Sequence, residues 1–172
     1  MATNALGGRF SIPIEDLTTP TSTQKYNLGL VLEVSTADPD DAFTEYAAEY
    51  IYGQAGETLT AYEPAQMKER FEFIKPADSV AYMTVCSPQV DFTDNYYGFF
   101  LFKGKGKCKI TASGAMAVGD YFLPTVDTPS EFQDDGASIT DYSIGSVLEA
   151  IASGTEVVET VLLGKQLKIH ES

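Results

Sequence analysis

Runs of β-branched and aromatic residues, cut at short intervals by glycine, restrict this chain more than any other feature. The stretch from Tyr96 to Ile110 shows the texture at its densest, with Gly98, Gly104 and Gly106 set among Tyr, Phe, Leu and Lys. Strand formers separated by Gly, Asp and Ser at hairpin spacing describe antiparallel β structure. The pattern predicts an all-β fold of antiparallel strands, around ten of them, arranged as a sandwich or barrel.

A body of that kind fits the length. At 172 residues and 44% hydrophobic, the chain can bury one sizeable core. Residues 1–24 read differently, with Gly7-Gly8, Pro13, Pro20 and a Thr/Ser cluster around Phe10, Ile12, Ile14 and Leu17. They predict an extended N-terminal arm, kept to an edge by Pro13, whose four apolar residues are candidates for partner binding. Its deletion is expected to leave the body folded. Residues 25–172 form the body, with a subdivision near 88–96 left open.

Within the body, strands are expected at Tyr26 to Val34, Phe43 to Tyr52, Thr58 to Tyr62, Met67 to Lys75 and Val80 to Cys86. After the loop Ser87 to Asn95 come Tyr97 to Phe102 and Lys105 to Ala112, joined tightly at Lys103-Gly104. Tyr121 to Leu123 ends at Pro124, and Thr125 to Thr140 reads as a polar loop. Ile144 to Ile151 and Glu156 to Leu163 close the chain as a hairpin pair around Ser153-Gly154-Thr155.

The chemistry that this sequence offers is sparse. Its single histidine, His170, is third from the C-terminus, on what reads as a loose tail where no serine or cysteine is set for it to activate. Cys86 and Cys108 sit in apolar strands, where a reduced, buried thiol is the expected state. Asp38, Asp40 and Asp41, or Asp91 and Asp94 with Asn95, offer oxygen ligands without the spacing of a calcium loop, so solvated turns are expected. No catalytic, metal or cofactor residue is assigned, and an enzyme working through carboxylates alone is the third-ranked reading.

Charge points to a partner surface. The net charge of −14, from 25 acids against 11 bases, opposes adhesion to nucleic acid or an anionic membrane. The N-terminus lacks a secretory signal pattern, so the chain is expected to be made and kept in a cytoplasm. Four of the bases, Lys103, Lys105, Lys107 and Lys109, alternate along one segment, whereas no Lys or Arg falls between Ile110 and Gly164. Period two puts the four on one face of a strand, or across a hairpin. They are either a lysine-guarded edge strand or a stripe that docks on an acidic protein surface.

The order of several short motifs is familiar. Thr21 to Gly29 resembles the opening of many tailed-bacteriophage capsid decoration (cement) proteins, and Glu49 to Gly56 is similar to their aromatic strand and "alanine, glycine" turn. Tyr97-Gly98-Phe99, Ala115 to Tyr121, Ile144 to Ala150 and Val158 to Leu163 resemble, in order and spacing, the small C-terminal β-barrel of that family. The likeness covers most of residues 21–163. Ser35 to Asp41 and Pro64 to Val85 depart from the pattern.

The resemblance implies a viral structural protein on the exterior of the assembled capsid, bridging major capsid protein subunits after assembly in the host cytoplasm. Sites on shell symmetry axes, together with abundant Tyr and Phe, add the expectation of a homotrimer. The rival from another class is a carbohydrate-binding or adhesin-type module, with Tyr96, Tyr97 or Tyr142 as its platform.

Overall fold

A single long strand organises the molecule. The computed structural model describes residues 12–34, 48–77, 82–125, 129–164 and 166–168. They form one short helix, α1 (Ile14–Thr18), and eleven strands: β1 (Val31–Val34), β2 (Ala48–Ala55), β3 (Ala65–Met67), β4 (Glu72–Ile74), β5 (Tyr82–Pro88), β6 (Tyr97–Ala112), β7 (Tyr121–Pro124), β8 (Phe132–Gly136), β9 (Gly145–Val147), β10 (Gly154–Leu163) and β11 (Gln166–Lys168). The fold is all-β, as the sequence predicts.

Strand β6 is 16 residues long and serves as a wall for two rings. Its first half pairs with β2 on one edge, Tyr50 facing Leu101, and with β5 on the other, Ser87 facing Leu101. Pairings of β2 with β4, β4 with β3, and β3 with β5 close the first ring. The second half pairs with β10 over ten residue positions and with β8 in parallel at Ile110 and Thr111. Pairings of β10 with β9, β9 with β7, and β7 with β8 complete a closed five-stranded barrel. This is the C-terminal barrel that the resemblance implies.

The two rings have their cores on opposite faces of β6, and a bulge makes the switch. Glu49 faces Lys103 and Tyr50 faces Leu101, so Phe102 is left over between them. Gly104 follows in mid-strand at φ +91, a conformation that side chains other than glycine resist. Before the bulge, Phe100 belongs to the first core with Ile51, Ala55, Leu59, Phe73, Cys86 and Phe92. After it, Cys108, Ile110 and Ala112 join Leu101, Phe122, Phe132, Ile151 and Leu162 in the barrel core. The odd-numbered lysines are thereby left on the outside of the barrel.

A third cluster covers the outer face of the first ring. Ile12, Leu32, Val34, Tyr52 and Phe99 are buried there, with Leu17, Tyr26 and Leu28 packed against them. Residues 12–34 are therefore part of the packing. Thr21 and Tyr97 exchange two backbone hydrogen bonds of 2.9 and 2.8 Å, and Gly29 N–H donates to the Tyr52 carbonyl at 2.8 Å. The segment after Pro13 is helical rather than extended, because Pro suits the position just before a first helical turn.

Other expectations need correction. Lys103-Gly104 is no turn, since β6 runs through it. Met67 to Lys75 is not one strand. Arg70 and Phe71 take positive φ values of 57 and 60° and fold β3 and β4 into an antiparallel pair. Thr58 to Tyr62 contributes only the isolated bridge of Leu59 to Phe92. Tyr26 to Val34 shortens to β1, and the loop from Thr125 to Thr140 contains β8. Two pairings, β2 with β4 and β6 with β8, are parallel rather than antiparallel.

Candidate functional site

The lysine stripe lies where the two rings meet, and three of its four charges are engaged within the chain. Lys103 Nζ is 2.7 Å from Glu49 Oε1, Lys105 Nζ is 3.0 Å from Glu159 Oε2, and Lys109 Nζ is 3.2 Å from Glu63 Oε1 and 3.7 Å from Glu131 Oε1. Hydrogen bonding to Glu49 and the negative charges of Glu49 and Glu33 raise the Lys103 ammonium above its ordinary value. Lys107 points to solvent with no ion pair among the described residues, while Gln89 Oε1 accepts its backbone N–H at 2.9 Å. The four lysines share one face, as period two requires.

They do not guard an open edge: β10 pairs along one side, and on the other β2 reaches Lys103, β8 begins at Ile110, and between them Gln89 Oε1 and the Tyr62 carbonyl accept the Lys107 and Lys109 N–H groups. Glu63 comes from the first ring and Glu131 and Glu159 from the barrel. The stripe is thus a seam between the rings more than a free cationic surface. At its far end Glu131 accepts a hydrogen bond from Thr111 Oγ1, and Thr111 and Thr155 hydroxyls are 2.7 Å apart. Glu63 is 7% exposed, and its Oε2 has no hydrogen-bond partner. Lys109 is the charge that makes its burial tolerable.

The N-terminal candidates fall in two groups. Phe10 lies outside the described residues. Ile12 is buried in the outer cluster, Leu17 is partly buried against it, and Ile14 opens α1. The aligned polar groups beneath this segment form a clasp: Lys25 Nζ reaches Asp16 at 2.5 Å, Tyr26 Oη donates to Asp16, and Lys25 N–H donates to Tyr52 Oη at 2.9 Å. Burial works to raise the Asp16 carboxyl, but the hydrogen bonds from Lys25 and Tyr26 and the Lys25 charge outweigh it and hold the group below its ordinary value. Burial, the hydrogen bond to Asp16 and the Asp16 charge push the Tyr26 phenol up to about 12. Nothing in the sequence pattern marked Asp16, which reads as one more acid in a polar arm.

The remaining candidates do not converge. Tyr96 packs against the first core and Tyr97 against the outer cluster, while Tyr142 stands exposed at the end of the barrel. The three tyrosines build no common platform. Both cysteines are free and fully buried, Cys86 in the first core and Cys108 in the barrel. Burial pushes the Cys108 thiol up to about 12 and raises Cys86 as well, so both are held protonated. Asp91 Oδ1 accepts the Ala61 N–H at 2.8 Å and so serves a turn. His170, Asp38, Asp40 and Asp41 lie outside the described residues.

Among the described residues, no group of three or more His, Cys, Asp or Glu is placed to hold a metal ion, and no helix is long and apolar enough to cross a membrane. What the described residues define is an all-β protein of two strand rings sharing one wall, with distinctive surfaces. Among solved structures the chain is similar to the N base of head fiber gp8.5 in bacteriophage phi29, with a TM-score of 0.40 and 11% identity over 71% of this chain and 98% of that chain. So distant a likeness carries no argument about role. No family model and no curated protein matches the chain.

Proposed function

We propose that this chain is a structural protein of a tailed-bacteriophage virion, binding the exterior of the assembled capsid and bridging major capsid protein subunits without a catalytic step. The observation that carries the reading is the closed barrel formed by the second half of β6 with β7, β8, β9 and β10. Three of the motifs that resemble the decoration family, Ala115 to Tyr121, Ile144 to Ala150 and Val158 to Leu163, fall in it in the family's order, where that resemblance calls for a small C-terminal barrel. A rigid β body suits the task, because a ligand of the assembled state stabilises a shell under internal pressure by mass action. Repeated sites on the lattice add avidity.

The homotrimer is part of this proposal on the symmetry of shell sites. Its second support weakens, since Tyr52, Phe73, Phe92, Phe99, Phe100, Phe122 and Phe132 are all spent in cores within one chain. The adhesin reading ranks lower, with Tyr96 and Tyr97 packed inward.

Co-sedimentation tests the proposal. Purified protein should pellet saturably with empty shells assembled from the major capsid protein of its own genome, and should ignore free subunits of that protein. Equal binding to both, or binding to neither together with retention on a glycan array, contradicts it.

A further inference from the structure

One strand of the first ring has an open side. Among the described residues, β1 ends the strand order and pairs with β2 alone. Tyr52 N–H donates to the Leu30 carbonyl at 2.8 Å, so Leu30 turns its backbone toward β2, and Leu32 and Val34 follow at period two. Val31 and Glu33 therefore point their N–H and C=O groups outward. No described residue meets them there.

Two features beside that edge point to an occupant. First, Leu30 and Val31 are 36% and 54% exposed, and they are the one consecutive pair among the exposed large hydrophobics of the described residues. Proteins ordinarily blunt an open edge with charge. Here Glu33 is the one charged residue of β1, and Lys103, ion-paired with the Glu49 that faces it, tempers that charge. Second, the corner between β3 and β4 abuts the start of the strand. Both β1 and β4 lie on the side of β2 opposite β6, end to end, and the Phe71 ring covers Gly29, where a Cβ would meet it at 2.4 Å. Phe71 takes a positive φ, which its packing on Gly29 and against the first core offsets. Arg70, also left-handed at φ 57 and ψ 32, has no such compensation. It is exposed, and among the described residues no carboxylate pairs with it. Two successive left-handed residues are normally Asn and Gly, and strain that no internal contact offsets points to an external one.

We propose that the β1 edge docks an extended segment of another protein, which adds a strand beside Val31 and Glu33, sets apolar side chains against Leu30 and Val31, and brings a carboxylate to Arg70. Main-chain hydrogen bonds supply affinity in such a pairing, and the flanking side chains select the sequence. Arginine is a common interface anchor, and its planar fork takes a carboxylate through two parallel hydrogen bonds. An edge that offers alternating N–H and C=O groups calls for a polypeptide, since neither nucleic acid nor lipid carries the matching ladder. On the shell-binding reading above the segment belongs to a capsid subunit, and only that assignment rests on it.

Amide shift mapping and hydrogen exchange on the full ¹⁵N-labelled chain test this, with a synthetic peptide of alternating Val and Thr carrying one Asp as probe and its Lys-for-Asp counterpart as control. Expected are shifts confined to 29–34 and 68–72, slowed exchange at the Val31 and Glu33 amides, and about tenfold weaker binding of the Lys peptide. Val31→Pro removes an outward N–H without touching the β2 ladder and should abolish binding. Arg70→Asn, which the turn accepts readily, should raise the thermal midpoint yet weaken binding about tenfold, and it decides the matter should Val31→Pro fail to fold. A lower midpoint with unchanged binding in Arg70→Asn, equal binding of the two peptides, or shifts elsewhere overturns the proposal. Slowed exchange at Val31 and Glu33 that follows protein concentration without peptide also overturns it, in favour of a second copy on the edge.

A parallel arm with assembled shells separates the two claims. Shells that bind wild type and both variants alike, with no peptide bound at β1, overturn the docking edge and leave the shell reading standing. Shells that bind none of the three, beside a peptide mapped to β1, overturn the shell reading and support the edge.

Discussion

Gly53 and Gly98 face each other across β2 and β6, and that missing pair of side chains decides how the first core packs. A Cβ on Gly98 would meet the Phe92 ring at 2.7 Å, and one on Gly53 would meet the Phe73 ring at 2.4 Å. The bare backbone lets both rings lie down on the sheet, where Phe73 and Phe92 stack on Phe100 at centroid distances of 4.1 and 4.4 Å. Gly98→Val should therefore destabilise the protein by about 1–3 kcal/mol through overpacking, read as a lower midpoint in urea with unchanged slope. The Asp16 clasp makes a prediction about pH. Asp16 titrates below its ordinary 3.8 in the folded state, so its contribution is complete at neutral pH and vanishes as pH falls below that value. Tyr26 is shifted the other way, from 10.0 to about 12, so what it adds is present below pH 10 and lost as pH climbs through 12. Amide shifts of residues 12–30 should move in both windows, and Asp16→Asn should abolish the acid one.

At the scale of elements, the N-terminal segment and β6 changed most between sequence and structure. Ile12 and Leu17 close the outer cluster, so deleting residues 1–24 should cost about 2–4 kcal/mol, from the burial of one to two large side chains and the loss of the clasp. Thermal unfolding of the truncated chain checks it, and an unchanged midpoint would restore the dispensable arm that Pro13 and the Thr/Ser cluster suggest. Strands with a two-residue period and flanking turn residues, such as β7 and β10, were legible. Strand β8 was not, because Phe132 is its one core residue and Gln133, Asp134 and Asp135 read as loop. Its partners make it a strand, β7 antiparallel from Tyr121 to Pro124 and β6 in parallel at Ile110 and Thr111. The reversal at Arg70 and Phe71 carries no glycine, and the glycine at 104 serves a bulge rather than a turn. The lysine stripe was visible as a pattern, but its partners lie 46 and 54 positions away at Glu63 and Glu49, beyond any local signal. Lys109→Gln should destabilise by about 2 kcal/mol by leaving Glu63 buried without its cation, whereas Lys107→Gln should change stability by less than about 0.5 kcal/mol. Paired denaturation curves decide between seam and free surface.

The whole molecule is polarised along β6. One end carries the outer cluster and clasp, and the middle is the compensated lysine seam. The two rings share the β6 wall and are tied across it by ion pairs, an arrangement that suits the bridge proposed above. Bridging, the central claim, is read most directly by electron cryo-microscopy of shells assembled from the major capsid protein of its own genome, reconstructed with and without this protein. The account predicts added density on the outer surface, each copy spanning at least two capsid subunits. Density confined to a single subunit, density on the inner surface, or none at saturating protein would contradict it.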